Sequence, residues 1–367
     1  MRREAAWLDE FMSIRHWTDG RQTMERLKEQ GVVLGIGDDA AVVEAPPGSG
    51  GALQWLLAVD TMVETVHFNG ATMAEADVGW KALAANISDI AAMGGEPRHA
   101  LISVSAPRAW EPARVRRLYD GLYACAEHYG VAVVGGDTTS SPGQLVVAVT
   151  VVGTVTAGKA IRRSGAQPGD AVFVTGPVGM AAAGLHYLLA AAEAGGGQFV
   201  PLAAAEAAGT AALVQAHRRP APSVRAARML AARGTVSSLN DISDGLASEA
   251  WEIAEASGVK ILLREGQLPV SGSMASYASC AGIRPLEWIL NGGEDYVLLG
   301  TISGSDAAAA KAELMEAGLP LYLIGEVEAG QASVEMITEG KAGIDPNRQY
   351  PKQRTRIDKR GYNHFTD

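Results

Sequence analysis

Acidic residues stand beside glycine, or close behind an apolar run, at several widely separated points of this chain. The set comprises Asp38 and Asp39 after Gly35-Ile36-Gly37, Asp60, Asp89, Asp137 after Gly135-Gly136, Asp241 with Asp244, and Glu294 with Asp295 after Gly292-Gly293. Glycine lets the backbone approach a ligand closely, and loops at element ends carry functional groups. The chain is therefore expected to fold into apolar strands and helices whose ends carry carboxylates.

Two interpretations of these carboxylates stay open from the residues alone. An Asp beside Gly is a common turn residue, and Asp244 could serve only to cap a helix. If several carboxylates converge, they cannot all remain ionised unaided, because two charges about 4 Å apart repel by ~4 kcal/mol at an effective dielectric of about 20. Bound Mg²⁺ relieves this repulsion and also binds substrate phosphates. A converging set would therefore indicate a site for several Mg²⁺ ions and a nucleotide.

Length and apolar content predict a two-domain protein of mixed α/β architecture. The chain has 367 residues, 47% of them hydrophobic, and single cores stop growing at about 250–300 residues. A loop-rich stretch at residues 156–170 separates two halves that contain predicted strands and helices. We expect one domain at residues 1–156 and a second, α+β domain at residues 157–367.

Charge and cysteine content exclude several classes of protein. The formal net charge is −10, so a nucleic acid bound by bulk positive charge is disfavoured. Cys125 and Cys280 are too few and too far apart for a disulfide framework or a thiolate zinc site. The first residues are charged and lack the apolar region of a signal peptide, and the apolar stretch 180–192 is too short to span a membrane. These features predict a cytoplasmic protein with neither a nucleic-acid nor a membrane partner.

The hydrophobic pattern predicts the elements that carry the acidic residues. The clearest helix covers residues 72–93, where Asn86 and Asp89 lie three positions apart and are therefore neighbours on its surface. A short strand at residues 55–59 is expected to end at Asp60, and a strand at 131–134 is expected to lead into Gly135. A further helix is predicted at 244–257.

A near match to a phosphate-binding loop lies at residues 153–160. The P-loop pattern requires Ser or Thr after its Lys, because that hydroxyl binds Mg²⁺, and this chain has Ala160 after Lys159. The P-loop interpretation is therefore disfavoured. The sequence Gly176-Pro177-Val178-Gly179 also lacks dinucleotide-binding spacing and is more typical of a turn between a strand and a helix.

Basic and aromatic residues offer candidate phosphate and substrate contacts. Arg163 follows Arg162 in a loop, where a guanidinium suits bidentate phosphate binding, although a solvated charge is equally compatible with the pattern. His67 and Tyr362 could contact a second substrate or could only pack. The stretch 217–220, His-Arg-Arg-Pro, could line the site or cap a helix, and the sequence does not distinguish the two.

Taken together, these motifs resemble those of the thiamine-monophosphate kinase family, in the superfamily that includes aminoimidazole ribonucleotide synthase. The similar segments are GIGDDAAVV (35–43), VDTMVETVHF (59–68), KALAANISDIAAMGGEP (81–97), VVGGDTT (133–139), RSGAQPGD (163–170), NDISDGLASE (240–249), NGGEDYVLL (291–299) and GYNHF (361–365). They occur in order over nearly the whole chain, and their combination is far more specific than any one of them.

The resemblance implies transfer of the ATP γ-phosphoryl group to thiamine monophosphate by direct in-line attack. It also implies roles for particular residues. The implied Mg²⁺ ligands are Asp39, Asp60, Asp89, Asp137, Asp241 and Asp244. The implied ATP contacts are Gly136, Asp137, Arg163 and Ser243, with Asp137 and Arg163 also catalytic, and the implied contacts to thiamine monophosphate are His67, Glu294 and Tyr362.

The family fold pairs strands of the N-terminal domain across a homodimer into a barrel, with the nucleotide in a cleft between that domain and an α+β C-terminal domain. One departure is that Ala58 and Val59 replace the Ser or Thr found before the Asp in many relatives, so no hydroxyl ligand is available there. Two alternatives remain: another ATP-dependent enzyme of the superfamily, and a nucleotide- or metal-sensing protein without activity.

Overall fold

The structure, a computed structural model, describes residues 23–45, 52–338 and 353–361. Within these ranges the chain forms two β-sheets from successive halves of the sequence, and helices pack against both. This arrangement confirms the predicted mixed α/β class. Neither sheet closes into a barrel within the described residues.

The first half, after helix α1 (Met24–Glu29), forms a six-stranded sheet in the order β1-β2-β3-β6-β4-β5. All neighbours are antiparallel except β4 and β5, which are parallel. Its strands are β1 (Val32–Leu34), β2 (Ala41–Glu44), β3 (Leu53–Val63), β4 (Glu96–Pro107), β5 (Ala132–Ser141) and β6 (Val146–Thr156).

The two faces of this sheet differ in their surroundings. Helices α2 (Glu75–Ala92) and α3 (Pro112–Tyr129) belong to the core on one face, where side chains such as Ile102 and Val149 are fully or almost fully buried. The opposite face exposes large apolar side chains: Leu57, Val59, Leu101 and Val134. An exposed apolar sheet face of this kind is typical of an interaction surface.

The second half forms a seven-stranded sheet in the order β13-β12-β9-β11-β7-β10-β8, in which only β9 and β12 are parallel. Its strands are β7 (Asp170–Val174), β8 (Val236–Asp241), β9 (Lys260–Arg264), β10 (Leu298–Ser303), β11 (Tyr322–Glu328), β12 (Ser333–Thr338) and β13 (Gln353–Arg356). Its helices are α4 (Met180–Ala194), α5 (Leu202–Ala207), α6 (Ala211–Arg218), α7 (Val224–Arg233), α8 (Leu246–Ser257), α9 (Gly272–Ala281), α10 (Pro285–Asn291) and α11 (Ala307–Glu316), with a 3₁₀ turn at Glu265–Gln267.

Several elements differ from the sequence predictions at the positions of acidic residues. The expected strand end at Asp60 is wrong, because β3 continues to Val63 and places Asp60 inside a strand. Asp137 also lies within a strand, since β5 runs on to Ser141. Asp244 does not cap its helix: α8 begins at Leu246 and its N-cap residue is Gly245. In contrast, Asp89 lies on α2 as predicted.

The segment that nearly matches a P-loop continues strand β6 to Thr156 and is not followed directly by a helix, which agrees with the sequence argument against that motif. No helix among the described residues is both long enough and apolar enough to cross a membrane.

Candidate functional site

A cleft of about 840 Å³ lies between the two halves of the chain, and most of the predicted site residues line it. The residues named in the sequence analysis that line it are Asp38, Asp39, Asp60, His67, Asp89, Arg163, Asp241, Ser243, Asp244 and Glu294. They come from positions more than 200 residues apart in the sequence. The convergence that the sequence left open is therefore present in the fold.

Three of the carboxylates form a compact group. One oxygen each from Asp39, Asp89 and Asp241 lies within 4.8 Å of the others, a separation that a single metal ion could bridge. The three residues are supplied by the loop before β2, by helix α2 and by the end of β8. The group therefore joins the two halves of the molecule.

Burial and mutual repulsion perturb the pKa values of this group. Burial raises the pKa of Asp241 to about 8, with the charge of Asp39 acting in the same direction. Burial also raises the pKa of Asp89 well above its ordinary range, and the neighbouring charge of Asp60 adds to this effect. Acidic groups with such pKa values are costly to ionise together, and a bound cation relieves that cost.

The donor set fits a hard divalent cation. It consists of carboxylate oxygens only, which suits Mg²⁺ better than a thiolate- or imidazole-preferring metal. In addition, Oδ2 of Asp39 is buried and has no hydrogen-bond partner among the described residues. Buried polar atoms are normally paired, so an unpaired carboxylate oxygen within an acidic group is consistent with a ligand position.

Arg163 lies against the carboxylate group and is held on three sides. Its Nη2 donates to Oδ1 of Asp39 at 2.6 Å, its Nη1 lies 2.5 Å from Oε2 of Glu252, and its Nε donates to Oδ1 of Asn240 at 3.2 Å. The side chain is largely buried, with 17% of its surface exposed. Arg163 is therefore a fixed cation at the wall of the cleft and not a solvated surface charge.

A buried glutamate holds the loop that connects β8 and α8. Oε2 of Glu249 accepts from Nδ2 of Asn240 at 2.5 Å, and Oε1 accepts from the backbone N–H of Asp244 at 3.2 Å and from Oγ of Ser243 at 3.4 Å. These bonds fix the loop on which Ser243 and Asp244 face the cleft.

Glu249 and Glu252 belong to the site although the sequence motifs did not predict them. A signal for them does exist, because two acidic residues three positions apart interrupt the otherwise apolar start of α8, LASEAWEIA. Buried acidic residues are rare unless paired, so such an interruption favours a polar network.

Glu294 enters the cleft from a strained loop. Its φ is +66°, an uncommon conformation for a residue with a Cβ, and its backbone N–H donates to the carbonyl of Ser243 at 2.7 Å. Its carboxylate accepts from Nζ of Lys81 at 2.7 Å. Strained backbone of this kind is concentrated at functional sites.

His67 lines the cleft from the N-terminal half, and its Nδ1 accepts a hydrogen bond from the backbone N–H of Val63 at 3.0 Å.

Two predicted site residues are not among those that line the cleft. Gly136 and Asp137 lie on β5, at the edge of the first sheet. Gly136 has a structural role there, because a Cβ at this position would lie 1.8 Å from the carbonyl oxygen of Ile102. Tyr362 lies outside the described residues.

Strand register shows how far Asp137 lies from Asp60 across the first sheet. Asp137 pairs with Ser103, Ser103 with Ala148 and Ala148 with Thr61, which follows Asp60. Three strand spacings amount to about 14 Å. Asp60 aligns instead with the buried Val149 and Ile102, so Asp60 and Asp137 point to opposite faces of the sheet. Within one chain, Asp137 therefore lies three strands from Asp60 and on the opposite face of the sheet, and it is not among the residues that line the cleft.

Comparison with known proteins gives a consistent result. The family model for the N-terminal domain of AIR synthase related proteins matches residues 37–155, and the model for the C-terminal domain matches residues 167–337. The chain is 39% identical to the thiamine-monophosphate kinase of Bacillus subtilis (strain 168) over 94% of its own length and 97% of that protein. It is 34% identical to the enzyme of the same name from Aquifex aeolicus, over 90% and 92% of the two chains.

Solved structures agree with these sequence matches. A structure of AaThiL complexed with AMPPCP and TMP has a TM-score of 0.75 at 32% identity and covers 98% of this chain and 97% of its own. The thiamine-monophosphate kinase of Stenotrophomonas maltophilia K279a has a TM-score of 0.70, also at 32% identity. This chain therefore belongs to the AIR synthase related proteins and, among them, to the thiamine-monophosphate kinase family.

Proposed function

We propose that this protein transfers the γ-phosphoryl group of ATP to thiamine monophosphate, giving thiamine diphosphate and ADP. The observation that carries the proposal is the group formed by Asp39, Asp89 and Asp241 beside Arg163 in the cleft between the two halves. Phosphoryl transfer requires positioning and neutralisation of charge more than it requires a covalent catalytic residue. The cleft offers both, and the names of the relatives point to the same reaction.

The acceptor group makes a strong general base unnecessary. A phosphate monoester has its second pKa at about 6, so the attacking oxygen of thiamine monophosphate is already ionised near neutral pH. The bond that forms joins this oxygen to the γ-phosphorus, and the bond that breaks joins the γ-phosphorus to the β,γ-bridging oxygen of ATP. The site residues then act by holding the two anionic substrates close together and in line.

Arg163 is the residue that we assign to the transferred phosphoryl group. A guanidinium can donate two parallel hydrogen bonds to phosphate oxygens and can stabilise charge that spreads over them in the transition state. In the present arrangement its Nη2 donates to Asp39, whereas Glu252 and Asn240 hold Nη1 and Nε. If a phosphate oxygen took the place of Asp39 at Nη2, Glu252 and Asn240 would still hold the guanidinium.

Mg²⁺ would be held by Asp39, Asp89 and Asp241, with Asp60 and Asp244 as further ligands from the same cleft. Bound there, Mg²⁺ neutralises phosphate charge and orients the phosphates. Ser243 lies on the loop fixed by Glu249 and is assigned to ATP. His67, Glu294 and Tyr362 are assigned to thiamine monophosphate.

We further propose that the active form is a homodimer that places Asp137 in the site of the partner subunit. The exposed apolar face of the first sheet offers the interface, since Leu57, Val59, Leu101 and Val134 would otherwise stay in water. Asp137 lies three strand spacings, about 14 Å, from the position on β3 that follows Asp60 in its own chain, and it points to this exposed face. If Asp137 binds metal or ATP, as the family resemblance implies, it must do so from the neighbouring copy.

The test of the main proposal is a single assay of the purified full chain. MgATP and thiamine monophosphate should yield thiamine diphosphate and ADP in equal amounts, measured by chromatography with fluorescence detection of the thiochrome derivatives. If thiamine diphosphate forms only when free thiamine is supplied, or does not form, the proposed function is wrong.

A further inference from the structure

Lys81 is a fully buried cation at the back of the cleft. It belongs to helix α2, its side chain is 0% exposed, and its Nζ donates to Oε2 of Glu294 at 2.7 Å. Buried lysines are costly unless they are paired, because the charged form loses its hydration. The carboxylate of Glu294 supplies that pairing and is itself 26% exposed. The pair thus joins a buried cation to a carboxylate that reaches the cleft.

His217 completes this cluster from the C-terminal half. Its Nδ1 lies 3.4 Å from Nζ of Lys81 and 3.4 Å from Oε2 of Glu294. Burial lowers the pKa of His217 well below its ordinary value, and the charges of Lys81 and Arg218 act in the same direction, so the imidazole is neutral. Because an ammonium can only donate, Nδ1 is the acceptor and Nε2 carries the proton.

The cluster retains one unsatisfied group. Nε2 of His217 is buried without a hydrogen-bond partner among the described residues. An unpaired buried donor costs about 1–3 kcal/mol, and a purely structural histidine would be expected to satisfy both nitrogens. The imidazole is therefore held through the hydrogen bond that Nδ1 accepts from Lys81, and it acts on the position of Glu294 through that lysine.

The elements around this cluster are clamped together. Arg218 donates to the carbonyl of Thr72 at 2.6 Å, Arg219 pairs with Asp77 at 2.8 Å, and Trp80 donates to the carbonyl of Pro220 at 2.9 Å. Of the segment at residues 217–220, His217 lines the cleft, whereas Arg219 is the C-cap residue of α6 and, with Pro220, fastens the C-terminal half to helix α2.

We propose that Lys81 and His217 are positioning residues for Glu294, which hold its carboxylate in a single orientation for the ring portion of the phosphate acceptor. This inference rests on the proposed function. A carboxylate repels phosphate groups, so Glu294 is unsuited to the phosphate end of either substrate. Thiamine monophosphate offers it two better partners, the amino group of the pyrimidine and the positive charge of the thiazolium.

The proposed positioning of Glu294 predicts that KM for thiamine monophosphate changes more than kcat when Lys81 or His217 is replaced. Contacts to a part of the substrate that does not react contribute equally to the ground state and the transition state, so their loss raises KM and leaves kcat nearly unchanged. Lys81 and His217 should therefore affect KM for thiamine monophosphate, and ATP should bind as before.

The experiment measures both kinetic constants for both substrates in wild type, Lys81→Met, Glu294→Gln and the double variant. Wild-type turnover is measured first, because its absence would refute the proposed function and this inference with it. With turnover present, we expect Lys81→Met to raise KM for thiamine monophosphate roughly tenfold, with kcat within about threefold and KM for ATP within about twofold of wild type. Glu294→Gln should have a similar effect, and the double variant should be no worse than about twofold beyond either single variant, because both changes remove the same interaction.

Three further variants separate positioning from folding. His217→Asn retains an acceptor close to the position of Nδ1 and should recover most of the affinity that His217→Leu loses, at equal thermal stability. Arg219→Gln is the matched control, since it breaks the ion pair with Asp77 in the same clamp without touching Glu294, and its KM values should equal those of wild type. The inference is overturned if folded Lys81→Met and His217→Leu bind thiamine monophosphate as wild type does, or if Arg219→Gln raises KM as much as they do.

Discussion

At the scale of single residues, Asp241 illustrates how charge in the cleft opposes stability. Its buried carboxylate shares a small volume with those of Asp39 and Asp89. Each ionised pair at such a separation repels by about 3–4 kcal/mol at an effective dielectric of about 20. Arg163 offsets part of this repulsion through its contact with Asp39. A protein without bound cation is therefore expected to be less stable than the same protein in Mg²⁺.

We predict that the Asp241→Asn variant is more stable than wild type in EDTA and less stable than wild type in saturating Mg²⁺. In EDTA the variant should melt several degrees above wild type, because about 3–4 kcal/mol of repulsion is relieved and about 1 kcal/mol shifts the Tm of a chain of this length by roughly 1–2 °C. In saturating Mg²⁺ wild type should melt higher, since ligand binding to the native state stabilises it and the variant has lost a ligand. Differential scanning calorimetry measures both. Asp120→Asn, on the exposed surface of α3, is the control and should show the Mg²⁺ response of wild type. An Asp241→Asn variant that melts below wild type in EDTA would contradict the prediction.

Single residues also show where sequence reasoning succeeds and where it stops. Asp39, Asp89 and Asp241 could be nominated from their flanking glycines and helical spacing, and the fold brings them together. Lys81 could not be nominated, because its burial is created by residues 217 and 294, which no local pattern connects to it. The same holds for the contact of Arg163 with Glu252, which depends on the packing of a loop on a distant helix.

At the scale of elements, helices α2 and α3 meet through glycine. A Cβ on Gly121 would lie 1.8 Å from the carbonyl oxygen of Ala76, and one on Gly79 would lie 2.0 Å from that of Leu118. The backbones can approach this closely only because neither residue has a side chain. Since α2 carries both Asp89 and Lys81, the close packing also sets the position of two site residues.

We predict that Gly121→Ala destabilises the protein although Ala is the better helix former. Intrinsic propensity favours Ala by about 1 kcal/mol, but the added methyl group must displace backbone, at a cost of about 1–3 kcal/mol or more. Gly272→Ala, in the first turn of α9, has open space around its new methyl group and should be neutral or slightly stabilising. Urea denaturation of both variants gives the comparison, and equal stability of Gly121→Ala and wild type would refute the packing argument.

The sequence predicted helices and strands best where the periodic spacing of apolar residues was long and unbroken. Helix α2 lies where the apolar pattern places it. The ends of β3 and β5 were wrong because Asp60 and Gly135 resemble strand terminators locally, whereas both strands continue through pairing with β6 and β4. Ladder hydrogen bonds across the sheet outweigh the low strand propensity of Asp and Gly, and that tertiary effect has no signature within the strand itself.

At the scale of the whole molecule, the proposed dimer can be tested through the two faces of one sheet. Asp89 belongs to the carboxylate group of its own chain, whereas Asp137 points to the exposed face, where we place the partner subunit. Asp137→Asn and Asp89→Asn homodimers should therefore both be nearly inactive, because each lacks a ligand in both sites. A mixed dimer differs: one of its sites combines an intact Asp89 from one chain with an intact Asp137 from the other.

We predict that co-expression of the two inactive variants restores activity. If chains associate at random, about half of the dimers are mixed and each has one competent site, so the preparation should reach about a quarter of wild-type turnover. Tandem affinity purification through different tags isolates the mixed species, whose activity should be about half that of wild type. If Asp137 acted within its own chain, every site in the mixed dimer would still lack a ligand and activity would stay absent. If no mixed species formed at all, the interface itself would be disproved, because the apolar face of the first sheet would then have no second copy against it.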